Sequence, residues 1–271
     1  MIHELEPACC DGLNIDCPFP EARAVMAGNN PGWVFVDEPN APRAAVVWAQ
    51  GMKGFYLAGN PDTAVFREEL AGYSDEILIP RLRSMGVDWF EISGHAGWNA
   101  LIEHVFGAQR LGSSQQWIYR LSPRSDRSAP PTGSAGRGRL IRVDAGLLEA
   151  SIAGNKGLLS SKVQQFWGSG DKFLDFGLGY ALLVGEEVVS LCFTGFVTED
   201  TYVVDVETVA AHRRKGHAET VARAFLDESM ARDRRVHWDC MAENTASARL
   251  AEKVGLMHSG TYTLYSFPLF G

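Results

Sequence analysis

Apolar and polar positions along the 271-residue chain change period several times, and each change marks an element. In the second half, two β-rich runs at 179–184 (GYALLV) and 188–193 (VVSLCF) flank Gly185, Glu186 and Glu187, which predicts a hairpin. A third strand is expected at 202–209 (YVVDVETV). The period then lengthens: Ala218, Val221, Ala222, Phe225, Leu226 and Met230 fall at i, i+3, i+4, i+7, i+8 and i+12, the apolar stripe of a helix that begins just after Gly216. Residues 236–240 (VHWDC) predict another short strand, Asn244 is placed to N-cap a helix running through Val254, and Gly255 stops that helix at its C′ position. Residues 261–267 (TYTLYSF) alternate as a last strand.

The first half has a similar order, with strands at 33–36, 44–49 and 55–58, helical material over 61–85 and a strand at 88–92. A helix near 98–106 and a strand at 115–119 complete it. Between the halves, SPRSDRSAPPTGSAGRG (122–138) contains no large apolar residue and reads as a linker. Its Arg124, Arg127 and Arg137, with Arg139 just beyond, also fit an ordered binding loop. The expected fold class is α/β in the α+β sense, a mixed sheet flanked by helices. The expected domains are 1–122 and 139–271, joined by a linker at 123–138.

Composition narrows the function classes. A hydrophobic content of 46% with seven tryptophans and fourteen phenylalanines gives ample area for a core. The net charge of −8 and pI of about 5.4 argue against nucleic acid or an anionic membrane as partner and favour a cationic, amine-bearing one. No apolar run approaches a membrane span, and the N-terminus MIHELEPACC lacks the pattern of a signal peptide, so a cytoplasmic protein is expected. Cys9, Cys10 and Cys17 crowd the N-terminus while Cys192 and Cys240 lie in apolar runs, and the odd total is no disulfide framework. Their spacing fits no familiar zinc site, and no metal is expected.

The chemistry concentrates in VETVAAHRRKGHA (206–218), where a strand enters a basic, glycine-containing turn that opens a helix. The first backbone N–H groups of a helix lack intrahelical partners, the helix dipole adds partial positive charge, and Gly216 permits close approach, which together make an anion site. Arg213, Arg214 and Lys215 add charge in front of it. A P-loop would need a second glycine and a Ser or Thr after the lysine, and a dinucleotide turn would need two more glycines. The spacing Arg213-x-x-Gly216-x-Ala218 instead resembles the R/Q-x-x-G-x-G/A motif of the GCN5-related N-acetyltransferases, or GNAT enzymes. Downstream, NTASARLAEKVGL resembles that family's block N-x-x-[AS]-x-x-L-[YA]-x-K-x-G-[FL], matched at Asn244, Ser247, Leu250, Lys253, Gly255 and Leu256. WDCMAEN, FLDFGLGYALL and VVSLCF further resemble the subfamily that includes the zwittermicin A resistance protein.

The resemblance implies a GNAT fold in the C-terminal half with acetyl-CoA as co-substrate, and the similar element order of the first half makes it a degenerate GNAT-like N-terminal domain. It implies that Thr208, Val209 and Ala210 offer backbone groups to the pantetheine arm and thioester, that Arg213, Arg214, Lys215, Gly216, His217 and Ala218 wrap the pyrophosphate, and that Asn244 lies near the pantetheine or sulfur. Asp205 and Glu207 share one face of the strand, and either is placed to accept the ammonium proton of an acceptor, Glu207 first because it lies closer to the thioester; both also fit the solvent face of a half-exposed strand. Where many members carry a tyrosine as proton donor this chain has Ala251, which leaves Tyr262, Tyr265 or His258 as replacements, or solvent. Cys240 is expected as a packed thiol rather than a nucleophile. The implied activity is acetyl transfer to a primary amine of a small molecule, an amino-polyol antibiotic being one candidate. The alternatives are a protein or peptide amine acceptor and a noncatalytic acyl-CoA sensor. The oligomeric state has no signature here, and a homodimer is compatible with the sequence.

Overall fold

A computed structural model describes residues 1–7, 10, 13, 15–107, 111–121, 138–153 and 157–270. Cys9 and the arginines Arg124, Arg127 and Arg137 of the expected linker lie outside the described residues. The chain divides into two compact units, one of Met1–Gln116 with Thr261–Gly271, the other of Trp117–Gly260. This division differs from the one expected at 122–138: the C-terminal residues 261–271 belong to the first unit.

In the first unit, β1 (His3–Leu5), β2 (Gly32–Val36), β3 (Ala44–Ala49) and β4 (Gly54–Gly59) form an antiparallel meander, with α1 (Pro20–Met26) preceding β2. The chain then crosses through α2 (Ala64–Tyr73), a π-turn (Ser74–Leu78) and α3 (Ile79–Ser84) to β5 (Trp89–Gly94), which runs parallel to β4. The expected helical stretch over 61–85 keeps helical backbone from Ala64 to Ser84 but widens to a π-turn at Ser74–Leu78, just before Pro80, whose ring and missing N–H disfavour a regular α-turn there. After α4 (Asn99–Phe106) comes β6 (Gly112–Leu121), yet β5 is bonded to the C-terminal half of the last strand, with Tyr265 opposite Ile92 and Phe267 opposite Phe90. Phe90 stacks on Phe55 at 5.1 Å and on Phe267 at 4.8 Å, so residues from both ends of the chain build one core.

The second unit repeats the order. β7 (Arg139–Arg142), β8 (Gly179–Val184), β9 (Glu187–Val197) and β10 (Thr201–Thr208) are antiparallel; α8 (His217–Ala231) crosses to β11 (Arg235–Met241), parallel to β10; α9 (Thr245–Lys253) follows and leads into β12 (Leu256–Pro268). Three helices absent from the expectations above, α5 (Ala145–Ala153), α6 (Gly157–Trp167) and α7 (Gly170–Phe176), intervene between β7 and β8. α6 buries Leu159, Val163, Phe166 and Trp167 against β9. The Phe166 ring packs edge-on to Phe193 and Phe196, and Gly195 leaves it room, since a Cβ there would sit 3.0 Å from the ring. Trp167 donates its indole N–H to the Thr194 carbonyl at 2.9 Å, which fixes the helix over the sheet.

Gly94 ends β5 against Trp98, and a Cβ there would run into that fully buried side chain. Gly94→Ala should therefore cost about 1–3 kcal/mol by overpacking, measured as a lower urea midpoint; an unchanged midpoint would contradict this packing.

Candidate active site

The parallel ladder between β10 and β11 covers only Thr201–Val203, paired with Arg235–His237, whereas β10 stays bonded to β9 as far as Thr208. A register irregularity between Val203 and Val204 marks the point where the strands part. Beyond it, one edge of β10 faces a groove rather than a strand. The Val209 N–H donates to the Val189 carbonyl at 2.9 Å, and alternation along an antiparallel strand then turns the main-chain groups of Val206 and Thr208 to the open side. Both residues line a cavity of about 560 Å³ in the second unit.

The floor of that cavity is the start of α8. Gly216 takes the N-cap position with φ of 81°, in the left-handed region where a side chain is strained, and no side chain caps the helix. The first intrahelical bond is Thr220 N–H to the Gly216 carbonyl, so the N–H groups of His217, Ala218 and Glu219 are the helix's unpaired donors, and all three residues line the cavity. Arg214 also has a positive φ of 61°, so the turn before the helix holds left-handed backbone at two positions. The far wall is α9. Asn244 caps it by accepting the Ser247 N–H at 3.2 Å, and Trp238 of β11 donates to Ser247 Oγ at 3.0 Å. Glu219 ties the two helices, with Lys253 Nζ at 2.6 Å and Arg223 at 3.0 Å. Burial works against its charge, but those two cations hold its carboxyl below the ordinary value.

Of the expected cofactor residues, Thr208, Arg213, Arg214, Gly216, His217, Ala218 and Asn244 line the cavity, with Glu207 at its edge. Val209, Ala210 and Lys215 are not among its lining residues. Val209 is committed to β9, Ala210 opens a short 3-10 turn, and Lys215 Nζ donates to the Ala211 carbonyl at 2.9 Å. Arg213 donates through Nε to the Thr208 carbonyl at 3.1 Å, which closes the turn and leaves the rest of its guanidinium exposed. Arg249 on α9 also lines the cavity and has no signal in the sequence, since its position is variable in the motif that identifies the helix. His217 is almost fully buried with no partner for Nδ1 among the described residues; burial, followed by His212 and Lys215, lowers its pKa and keeps the ring neutral.

The two expected bases are held together by a residue that the sequence motifs do not single out. Lys162 of α6 places Nζ 2.8 Å from Glu207 and 3.1 Å from Asp205. Burial alone would lower the lysine's pKa, but the two carboxylates outweigh it and raise it. Burial pushes the Asp205 carboxyl up, with Lys162 opposing. The spacing of Leu159, Val163, Phe166 and Trp167 at i, i+4, i+7 and i+8 carries the signal for this helix. None of the candidate acids Tyr262, Tyr265 and His258 is among the residues lining this cavity. Tyr265 belongs to the first unit, where its hydroxyl donates to Glu103 at 2.9 Å and burial pushes its pKa up to about 12. Tyr262 packs on Phe19 in the same unit. His258 is exposed beside Trp117 and Tyr119, Ala251 is fully buried, and burial raises the pKa of the Cys240 thiol, which disfavours the thiolate.

Because the Asn244 side chain caps α9, Asn244→Ala should destabilise the second unit by about 1 kcal/mol. Thermal unfolding compared with Asn244→Asp, which keeps the acceptor, checks this; equal loss in both variants would contradict it.

A profile of the GNAT acetyltransferase family matches residues 21–265. The chain is 26% identical over 238 residues, 87% of its length and 85% of the other's, to YdfB, an uncharacterised N-acetyltransferase of Bacillus subtilis strain 168. A solved GCN5-related N-acetyltransferase-like protein of Streptococcus suis aligns with a TM-score of 0.65 at 21% identity, over 92% of this chain and 93% of that one. A tandem GNAT protein from the clavulanic acid biosynthesis pathway aligns with a TM-score of 0.60 at 9% identity, over 100% and 99%. Likenesses at these identities describe the fold, while the family match extends through both units, well beyond the motifs of the second. Parting strands, an uncapped helix start behind Gly216 and a match over residues 21–265 together make this chain a member of the GNAT acetyltransferase family, and an acetyltransferase enzyme.

Proposed function

We propose that the groove of the second unit binds acetyl-CoA and that the enzyme transfers the acetyl group to a primary amine of a small molecule in the cytoplasm. The observation that carries this reading is the open edge of β10 at Val206 and Thr208, continuous with the unpaired N–H groups at the start of α8. An extended chain bearing amides fits the first as an added strand, and a pyrophosphate fits the second. When bound, acetyl-CoA supplies an activated acetyl group on a thioester. Main-chain groups of Val206 and Thr208 would orient the pantetheine arm, and His217–Glu219 amides with Arg213, Arg214 and Arg249 would hold phosphate oxygens.

Glu207, half-exposed at the edge of the groove, takes the proton of the incoming ammonium so that a neutral amine attacks. Asp205 lies deeper and shares Lys162 with it. With alanine at 251 and none of Tyr262, Tyr265 and His258 among the residues lining the cavity, the departing thiolate takes its proton from water. An acidic chain of net charge −8 favours amine acceptors, and the subfamily resemblance points to amino-polyols. The first unit reads as a degenerate copy of the fold. Its corresponding turn is filled by the chain itself, since the Gly59 N–H donates to Asp16, the Asn60 N–H to Arg43 and the Asp62 N–H to the Asn60 side chain. No helix among the described residues is long and apolar enough to cross a membrane.

Thiol release from acetyl-CoA across a panel of primary amines, with mass-spectrometric identification of the product, tests the reading. Glu207→Gln should lower kcat/KM by roughly 100-fold or more while leaving acetyl-CoA affinity nearly unchanged. Activity on lysyl peptides alone would move the acceptor to proteins, and unchanged turnover in Glu207→Gln would remove the base.

A further inference from the structure

Lys162 occupies the place between Asp205 and Glu207 where an ammonium group fits best, and its side chain is only 16% exposed. The two carboxylates point the same way because they are two residues apart on β10. α6 is locked above them by Phe166 and Trp167, so the lysine reaches the pair from a fixed backbone rather than from a loop. Its Nζ also lies 5.7 Å from the centre of the Phe166 ring, one helical turn on. With both carboxylates ionised, the cluster holds two negative charges and one positive, Lys162 opposing the burial that favours a protonated Asp205. A single exogenous ammonium completes its neutralisation, and a second would meet the lysine's charge.

We propose that Lys162 is a specificity-determining positioning residue that cancels one of the two carboxylates and so restricts the acceptor to molecules presenting one ammonium group at this site. The inference rests on the reading of Glu207 as the base. A diamine whose second ammonium falls near the first is disfavoured because the place it would take is filled by Nζ. The lysine acts through the carboxylates and does not itself touch the reacting atoms. The titratable groups around Asp205 are Lys162 from α6, Glu207 from its own strand and the buried Cys192 thiol from β9, which burial holds neutral. Lys162 is thus the cation that opposes the burial and mutual repulsion of the pair.

The test compares the full chain with its Lys162→Met and Lys162→Arg variants, using propylamine and 1,3-diaminopropane as matched acceptors. Lys162→Met should raise the diamine-to-monoamine ratio of kcat/KM about fivefold or more, the worth of one unit charge at contact distance. It should also move the acid limb of the pH profile upward, because removing a cation favours the protonated carboxylates. Lys162→Arg should restore both. A uniform loss of rate with the ratio and pH profile unmoved would reduce Lys162 to a structural role and overturn the inference. If neither amine is acetylated, carboxylate 13C titrations of Asp205 and Glu207 decide: an upward shift in Lys162→Met that arginine reverses supports the counter-ion role, and coincident curves overturn it. Calorimetric titration with acetyl-CoA separates the two claims, since failure of the wild type to bind sinks the function proposed above, while the carboxylate titrations still decide the role of Lys162.

Discussion

Where β11 leaves β10 after Val203, a strand inside a sheet keeps one bonded edge and gains one open edge. Unpaired backbone groups away from water cost about 1–3 kcal/mol each, so a sheet normally closes such a gap. Here the gap is held open by features that do not depend on a ligand. β9 stays paired with β10 to Thr208, the side chain of Arg213 closes the turn on the Thr208 carbonyl, and Glu219 bridges α8 to Lys253 on α9. The strand edge and the uncapped start of α8 lie along one cavity. The site therefore offers two kinds of unsatisfied donor to one extended, anionic ligand.

Charge is arranged around that opening with the opposite sign at each end. Arg213, Arg214 and Arg249 face the helix start, whereas Asp205 and Glu207 stand on the strand behind it. Lys162 prevents the acidic end from being a plain double anion. Its position follows from packing: Leu159, Val163, Phe166 and Trp167 commit one face of α6 to β9, and the lysine is left on the side that overlooks β10. The core of the second unit thus sets the electrostatics of its site.

Much of the second unit is legible in the sequence, since the period changes from two to 3.6 at Gly216 and Asn244 and Gly255 bracket a helix by capping chemistry alone. Features that depend on which strand lies beside which are not legible. The alternation of TYTLYSF predicts a strand but cannot say that its partner is β5, and so Tyr262 and Tyr265 look like candidates for a site to which neither contributes a lining residue. Likewise Val209 lies next to the motif in sequence but bonds to β9, while Val206 and Thr208 hold the open edge. Lys162 is far from its carboxylates along the chain, and no local pattern ties an i, i+4 apolar helix to an alternating strand.

The central claim, that the parted edge of β10 and the start of α8 form one cofactor groove, is tested most directly by amide hydrogen exchange on the full chain with and without acetyl-CoA. Added cofactor should slow exchange at Val206, Thr208 and His217 through Glu219, and leave the turn after β4 at Asn60 and Asp62 unchanged. Protection at the β4 turn, or none at the β10 edge, would contradict the account.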